Sequence, residues 1–189
     1  MDDIVSYAVD TALWGGTLLY PTDTIWGIGC DATNRDAIEK VYAIKRRDHS
    51  KSMLILCADI AMVERFVGRV GEEAASLLVD SQRPTTVILP AVTGKLPSNL
   101  LAADGTVGVR IPRMEFCQRL LSSFGRPIVS TSANFSNTPS PAVYEEIDKR
   151  IFDLVDYAVP QCRESTSAPA VSSRIVKMQS DGTILVIRG

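Results

Sequence analysis

Four basic residues fall within the seven positions Lys45-Arg46-Arg47-Asp48-His49-Ser50-Lys51, in a chain whose net charge is −2. Lysine offers a point charge and arginine a planar fork suited to phosphate. If the chain is extended just past a helix end, residues at i and i+2 face one cavity, and Lys45 and Arg47 then pair as anion ligands. The same stretch also reads as a solvated helix terminus, where positive charge complements the helix dipole. Far downstream, Ser130-Thr131-Ser132-Ala133-Asn134 supplies a row of small hydroxyl and amide groups. Ser132 and Asn134 alternate, so in an extended chain they share a face. There they could cradle a phosphate, although an ordinary strand-to-loop transition uses the same residue types. Taken together, the two stretches point to a pocket for a phosphorylated small molecule.

Other residues could contribute to such a pocket. Pro21-Thr22-Asp23-Thr24 separates two apolar segments, and its hydroxyls can orient a polar ligand or simply make a turn. Gly27 and Gly29 follow inside a strand-like run, where glycine marks close approach by a ligand or by another backbone. Arg110 sits within Val107-Gly108-Val109-Arg110-Ile111-Pro112, and a charge inside an apolar strand is costly unless it is paired or at an edge. Arg188, at the end of the last apolar run, raises the same question. The single His49 excludes mechanisms that need two histidines and reads as a loop residue. Cys30, Cys57, Cys117 and Cys162 are widely spaced with no CxxC pair, and Cys57 and Cys117 read as buried thiols. No cluster of metal-ligating residues is apparent, so no metal site is assigned. The phosphate-loop and dinucleotide patterns G-x-x-x-x-G-K-[ST] and G-x-G-x-x-G are absent.

The elements that must position these groups alternate along the chain. Helical spacing runs from Ile4 to Leu13 and stops at Gly15-Gly16. Strands are expected over Thr17 to Tyr20 and Ile25 to Cys30, then a helix after the N-cap Asn34 that delivers Lys45 at its end. A strand over Met53 to Cys57, helices over Ile60 to Val67 and Glu72 to Val79, and strands over Thr86 to Leu89 and Thr106 to Ile111 follow. Next come a helix over Phe116 to Phe124, a strand over Ile128 to Ser130 and a helix over Tyr144 to Ile151. A mobile loop is expected over 161–170, and strands over Arg174 to Met178 and Thr183 to Ile187, joined by a turn over 180–182. This pattern predicts one α/β domain over residues 1–189, built on one mixed sheet with antiparallel pairs near Pro21 and in the tail. The hydrophobic fraction of 46% and charged fraction of 22% are those of an ordinary globular protein. From the acidic start Met1-Asp2-Asp3 and the absence of a long apolar run, a cytoplasmic chain with no membrane partner is expected.

Read in order, these segments resemble the YrdC family, the threonylcarbamoyl-AMP synthases of tRNA modification. Residues from Tyr20 to Ala32, YPTDTIWGIGCDA, are similar to the family's YPTET-x-YGLG-x-DA. The basic stretch resembles its K-x-R motif, Thr106 to Pro112 its TVxVRxP strand, and Ser132 to Ser136 its SAN-x-S motif, with Pro139-Ser140-Pro141 following. The resemblance covers nearly the whole chain, without the extra C-terminal domain of longer members. It implies a twisted mixed sheet flanked by helices, with a ligand pocket on a concave face.

The activity implied is formation of threonylcarbamoyl-adenylate and pyrophosphate from L-threonine, bicarbonate and ATP, with Mg²⁺ on the phosphates. The product feeds N6-threonylcarbamoyladenosine formation on tRNA. By motif, Lys45 and Arg47 are the catalytic and ATP-binding pair, and Thr106, Ser132, Asn134 and Arg188 complete the nucleotide site. Thr24, Arg110, Ser130 and Ser172 fall to threonine, with Arg110 on its carboxylate. The chain departs from the family at Asp48, Asn137, Arg174 and Val176, where proline, glycine, valine and an acidic residue stand, at Lys51, where many members have asparagine, and at Leu56, where some place a histidine on the threonine. Candidate partners also include tRNA or double-stranded RNA and proteins of the modification pathway. Two rival functions are an RNA-binding module without synthase activity and an enzyme handling another carbamoyl adenylate. A buried Arg110 in a closed pocket favours an enzyme; a broad, shallow basic face favours the RNA binder.

Overall fold

The structure, a computed structural model, describes residues 1–161, 172–179 and 183–189. Most of the loop expected over 161–170, the turn over 180–182 and Cys162 lie outside the described residues.

Nine strands form one sheet. They are β1 (Leu18–Tyr20), β2 (Gly27–Gly29), β3 (Leu54–Leu56), β4 (Thr85–Pro90), β5 (Thr106–Arg110), β6 (Ile128–Ser132), β7 (Tyr157–Ala158), β8 (Arg174–Met178) and β9 (Ile184–Arg188). Their spatial order is β7-β1-β2-β6-β3-β5-β4-β8-β9. The pairs β1–β7, β3–β5 and β4–β8 are parallel and the rest antiparallel, so the sheet is mixed as expected.

Side chains alternate across this sheet, and the alternation sorts them into two cores. Leu19, Ile28, Ile55, Val87, Val109 and Val129 face one side, with α2 (Arg35–Lys45), α3 (Ile60–Phe66) and α4 (Glu72–Val79) packed on them. Leu18, Tyr20, Leu56 and Ile128 face the other side and meet α1 (Asp2–Leu13) and α5 (Glu115–Phe124). That second layer covers only the β1 side of the sheet. Along β3, β5 and β6 the outward positions next to it are Leu54, Gly108 and Ser130, and these line a cavity, Leu54 also packing against the edge of the second core. The thiols of Cys30 and Cys57 lie in the first core and that of Cys117 in the second, all buried.

Local chemistry sets the helix ends that matter for the site. The Asn34 side chain accepts from the backbone N–H groups of Asp36 and Ala37, at 3.0 and 3.1 Å, and starts α2. Ala37, Ile38, Val41, Tyr42 and Ile44 are its buried face. At its end Arg46 adopts the left-handed conformation (φ 49°, ψ 44°), so the chain turns sharply between Lys45 and Arg47. An extended run placing both on one cavity is therefore not what forms.

Three further expectations are corrected. The helix expected over Tyr144 to Ile151 is split into a short 3₁₀ turn (Tyr144–Glu146) and α6 (Lys149–Leu154). The break occurs because the Asp148 carboxylate accepts from Arg150 N at 3.0 Å and starts a new helix. β6 runs on to Ser132, which pairs with Gly27. β7 was not expected; it follows Asp156, whose carboxylate accepts from Thr17 N and Oγ1 at 2.7 and 2.9 Å.

Candidate active site

The cavity has a volume of about 270 Å³. Its floor is opened by glycines. Gly108 lies between Thr86 and Leu54 on the cavity face, and Gly27 lies over Ser130. Gly29 has a different reason: a Cβ there would stand 1.9 Å from the Val129 carbonyl oxygen, so it is another backbone that approaches.

Arg110 is 3% exposed and lines the cavity at the end of β5. Its Nη1 donates to Thr24 Oγ1 at 2.7 Å. Thr22 Oγ1 donates to the Ile25 carbonyl at 2.7 Å, so its 2.9 Å contact with Thr24 takes the Thr24 proton. The turn is thus locked from Arg110 through two hydroxyls to its own backbone. Arg110 Nη2 lies 3.5 Å from Asp23 Oδ1, and Asp23 Oδ2 accepts from Arg113 N at 3.2 Å. Among the described residues, Arg110 Nε is buried without a hydrogen-bond partner. A buried guanidinium with an unpaired donor, on a residue that lines a polar cavity, suits a planar anion such as a carboxylate.

Arg47 forms another part of the lining. Its Nε and Nη2 donate to the carbonyls of Lys51 and Ser52, at 2.8 and 2.9 Å, which fixes the guanidinium at the cavity. Arg188 enters from β9, its Nη2 and Nε donating to the Ser173 carbonyl at 2.8 and 3.1 Å. Ser173 Oγ is 2.8 Å from Thr86 Oγ1. Burial and then the charge of Arg110 hold Arg188 below the usual arginine range. Three arginines therefore face one polar space, an arrangement for a ligand carrying more than one negative group.

Of the residues expected here, Thr24, Arg47, Arg110, Ser130, Ser132, Ser172 and Arg188 line the cavity. Lys45 does not. It is 1% exposed, and its Nζ donates to the carbonyls of Ser132 at 2.5 Å and Asn134 at 2.7 Å. Burial, followed by the charge of Arg47, pushes its pKa down to about 7, while the oxygens around it favour the ammonium. Asn134 is not in this lining but lines the second cavity beside it, its Oδ1 accepting from Ser132 Oγ at 2.5 Å. Thr106 shares the cavity face of β5 by alternation but lies beyond the lining, where its Oγ1 donates to Asp104 Oδ1 at 2.6 Å.

The site also includes residues that were not singled out. Thr86 is a polar position on the cavity face of β4, whose neighbours Val87 and Leu89 face the core, and that alternation is a signal in the sequence; Ser173 lies just before β8. Ser140, between two prolines, lines this cavity and a second one of about 330 Å³ beside it. His49 is outside, stacked on Tyr42 with ring centroids 4.2 Å apart.

The family model described as telomere recombination (Sua5, YciO and YrdC) matches residues 12–189. A threonylcarbamoyl-AMP synthase from Stenotrophomonas maltophilia is 34% identical over 152 residues, covering 79% of this chain and 81% of the relative. A crystal structure of P. abyssi Sua5 complexed with L-threonine superposes with a TM-score of 0.84 at 22% identity, over 97% of this chain and 53% of that one. E. coli YciO superposes with a TM-score of 0.82 at 24% identity, over 100% of this chain and 89% of that one. The chain thus spans about half the length of the Sua5 protein, and both structural likenesses bear on the fold alone.

Proposed function

The chain belongs to the Sua5/YciO/YrdC family, and on that premise we propose that it makes threonylcarbamoyl-AMP and pyrophosphate from L-threonine, bicarbonate and ATP. The observation that carries this reading is Arg110: 3% exposed, tied to Thr24, with a buried Nε that has no partner among the described residues, in the lining of a cavity that Arg47 and Arg188 also line. A carboxylate fits the Arg110 end and phosphates fit Arg47 and Ser132. The unpaired Arg110 donor, with hydroxyls from Thr22, Thr24 and Ser130 in the same lining, favours a small amino acid there over a bare anion. The buried position of Arg110 in a concave cavity supports an enzyme over an RNA-binding module.

In this reading bicarbonate and the threonine amine condense to a carbamate with loss of water. A carbamate oxygen attacks the α-phosphorus, and the bond to the bridging oxygen of the β-phosphate breaks, releasing pyrophosphate. The protein's part is positioning and charge. Arg110 and Thr24 hold the amino acid, and Arg47, Ser132 and Arg188 face the negative charge on the phosphoryl oxygens. Among the described residues no group of three or more His, Cys, Asp or Glu is placed to hold a metal. In this reading Mg²⁺ enters on the ATP phosphates as part of the substrate. The product is an activated acyl group for an amine on a tRNA base, so tRNA and transfer proteins act after this step, in the cytoplasm. Among the described residues no helix is long and apolar enough to cross a membrane.

The test is incubation with ATP, Mg²⁺, bicarbonate and each of threonine, serine and alanine, followed by mass analysis of adenylates and assay of pyrophosphate. Threonylcarbamoyl-AMP with bicarbonate-dependent pyrophosphate is the expected result. An adenylate with none of the three, or with a different acyl group only, would overturn the assignment.

A further inference from the structure

Lys45 and Arg110 are the two buried cations among the described residues, and only Arg110 opens on the cavity. The Lys45 ammonium faces three oxygens: the Ser132 carbonyl, the Asn134 carbonyl, and Asn134 Oδ1 at 3.4 Å. An ammonium has three N–H donors, so this set uses all of them. The backbone joins the same two segments in the other direction, since Ser136 N donates to the Lys45 carbonyl at 2.8 Å. Ala133 N donates to the Trp26 carbonyl at 2.9 Å, a third tie across the turn. Arg46, in its left-handed conformation, is the pivot that sends Lys45 toward residues 132–136 and Arg47 toward the cavity.

The held segment carries Ser132, whose hydroxyl donates to the amide oxygen that the ammonium also faces. Two carbonyl oxygens and an amide oxygen beside an anion site would repel a polyphosphate. A buried positive charge placed among them cancels that repulsion and fixes their direction.

We propose that Lys45 is a positioning residue: it anchors the Ser132–Asn134 segment so that Ser132 is presented to the nucleotide, and it does not itself bind phosphate. The proposal rests on the reading that the cavity takes ATP, but its test does not depend on turnover. In the full chain labelled with ¹⁵N-lysine and ¹³C, the Lys45 ammonium should show scalar couplings across hydrogen bonds to the Ser132 and Asn134 carbonyl carbons. Those couplings should persist when ATP and Mg²⁺ saturate the protein. Absence of the couplings in the nucleotide-free chain, or their replacement by coupling to ³¹P on saturation, would overturn the proposal. Saturation is followed separately by the ³¹P shifts, so failure of ATP to bind at all counts against the nucleotide reading alone.

Hydrogen exchange on the nucleotide-free chain gives an independent decision. Exchange at the amides of 132–136 should be at least tenfold faster in Lys45→Met and unchanged in Arg47→Met. Lys45→Arg, which keeps donors in place, should restore most of the protection. Wild-type protection of 132–136 in a folded Lys45→Met would overturn the anchor. If Lys45→Met does not fold, the couplings and Lys45→Arg decide.

Discussion

Arg110 has Nη1 on Thr24 and Nη2 toward Asp23, and Nε is its one buried donor without a partner among the described residues. A lysine at this position could hold the turn or meet a carboxylate, but a point charge cannot do both through separate, fixed donors. Arg110→Lys should therefore lower kcat/KM for threonine by roughly 10- to 100-fold, the worth of one or two hydrogen bonds to a charged group. The melting temperature should move little, since the positive charge is kept. Steady-state pyrophosphate release against threonine concentration measures this, and an unchanged kcat/KM would remove Arg110 from the site. Asp23 contributes at the same scale without lining the cavity. Its two oxygens lie between Arg110 and the backbone of Arg113, whose own Nη2 donates to the carbonyls of Val79 at 2.7 Å and Ser81 at 2.5 Å. The direction of the buried guanidinium is thus referred back to the end of α4.

The elements show why two glycines with two strands between them, Gly29 on β2 and Gly108 on β5, behave differently. A Cβ at Gly29 meets a backbone oxygen, which cannot give way without breaking the β2–β6 pairing. Gly29→Ala should cost about 3 kcal/mol or more, a fall in melting temperature of roughly 6–12 °C for a chain of this size. A Cβ at Gly108 meets the Thr86 and Leu54 side chains at 3.1 and 3.3 Å and fills cavity space, so Gly108→Ala should reduce substrate affinity more than stability. Thermal melts and KM values for both variants separate the cases; a stable Gly29→Ala would be inconsistent with the close approach. Asn34→Ala removes the cap of α2 and should cost about 1 kcal/mol, measured by the same melts. Much of this was legible in the sequence. Asn34, the period of α2, the antiparallel pairs and the charge at Arg110 each carry a local signal that tertiary packing leaves intact. What was not legible depends on contacts far apart in the chain or on backbone states that carry no signature. The direction of Lys45 is set by a left-handed Arg46, a conformation that a non-glycine residue does not announce. β7 has two residues, too few for a period, and is placed by Asp156 on Thr17. The end of β6 lies in a serine-rich stretch of weak strand propensity that pairing with Gly27 overrides.

At the scale of the whole molecule, one sheet has a complete helical layer on one face and a partial one on the other. The cavity occupies the part left uncovered, so its floor is the same set of strands that forms the core beneath it. Core and site should then lose structure together. In a Trp14→Phe background, the fluorescence of Trp26, which is 4% exposed and lines the cavity, should report the same urea midpoint as far-ultraviolet circular dichroism. Separate midpoints would mean that the two layers unfold independently. The positions of the thiols extend the idea to time. Burial pushes Cys57 up to about 12 and raises Cys30 as well, so neither presents a thiolate at neutral pH while its core is closed. Cys117 lies across the sheet from both, its Sγ donating to the Pro21 carbonyl at 3.3 Å. An alkylating reagent followed by peptide mapping would thus record, without any introduced label, how often each face of the sheet is breached and whether a bound nucleotide slows one breach more than the other.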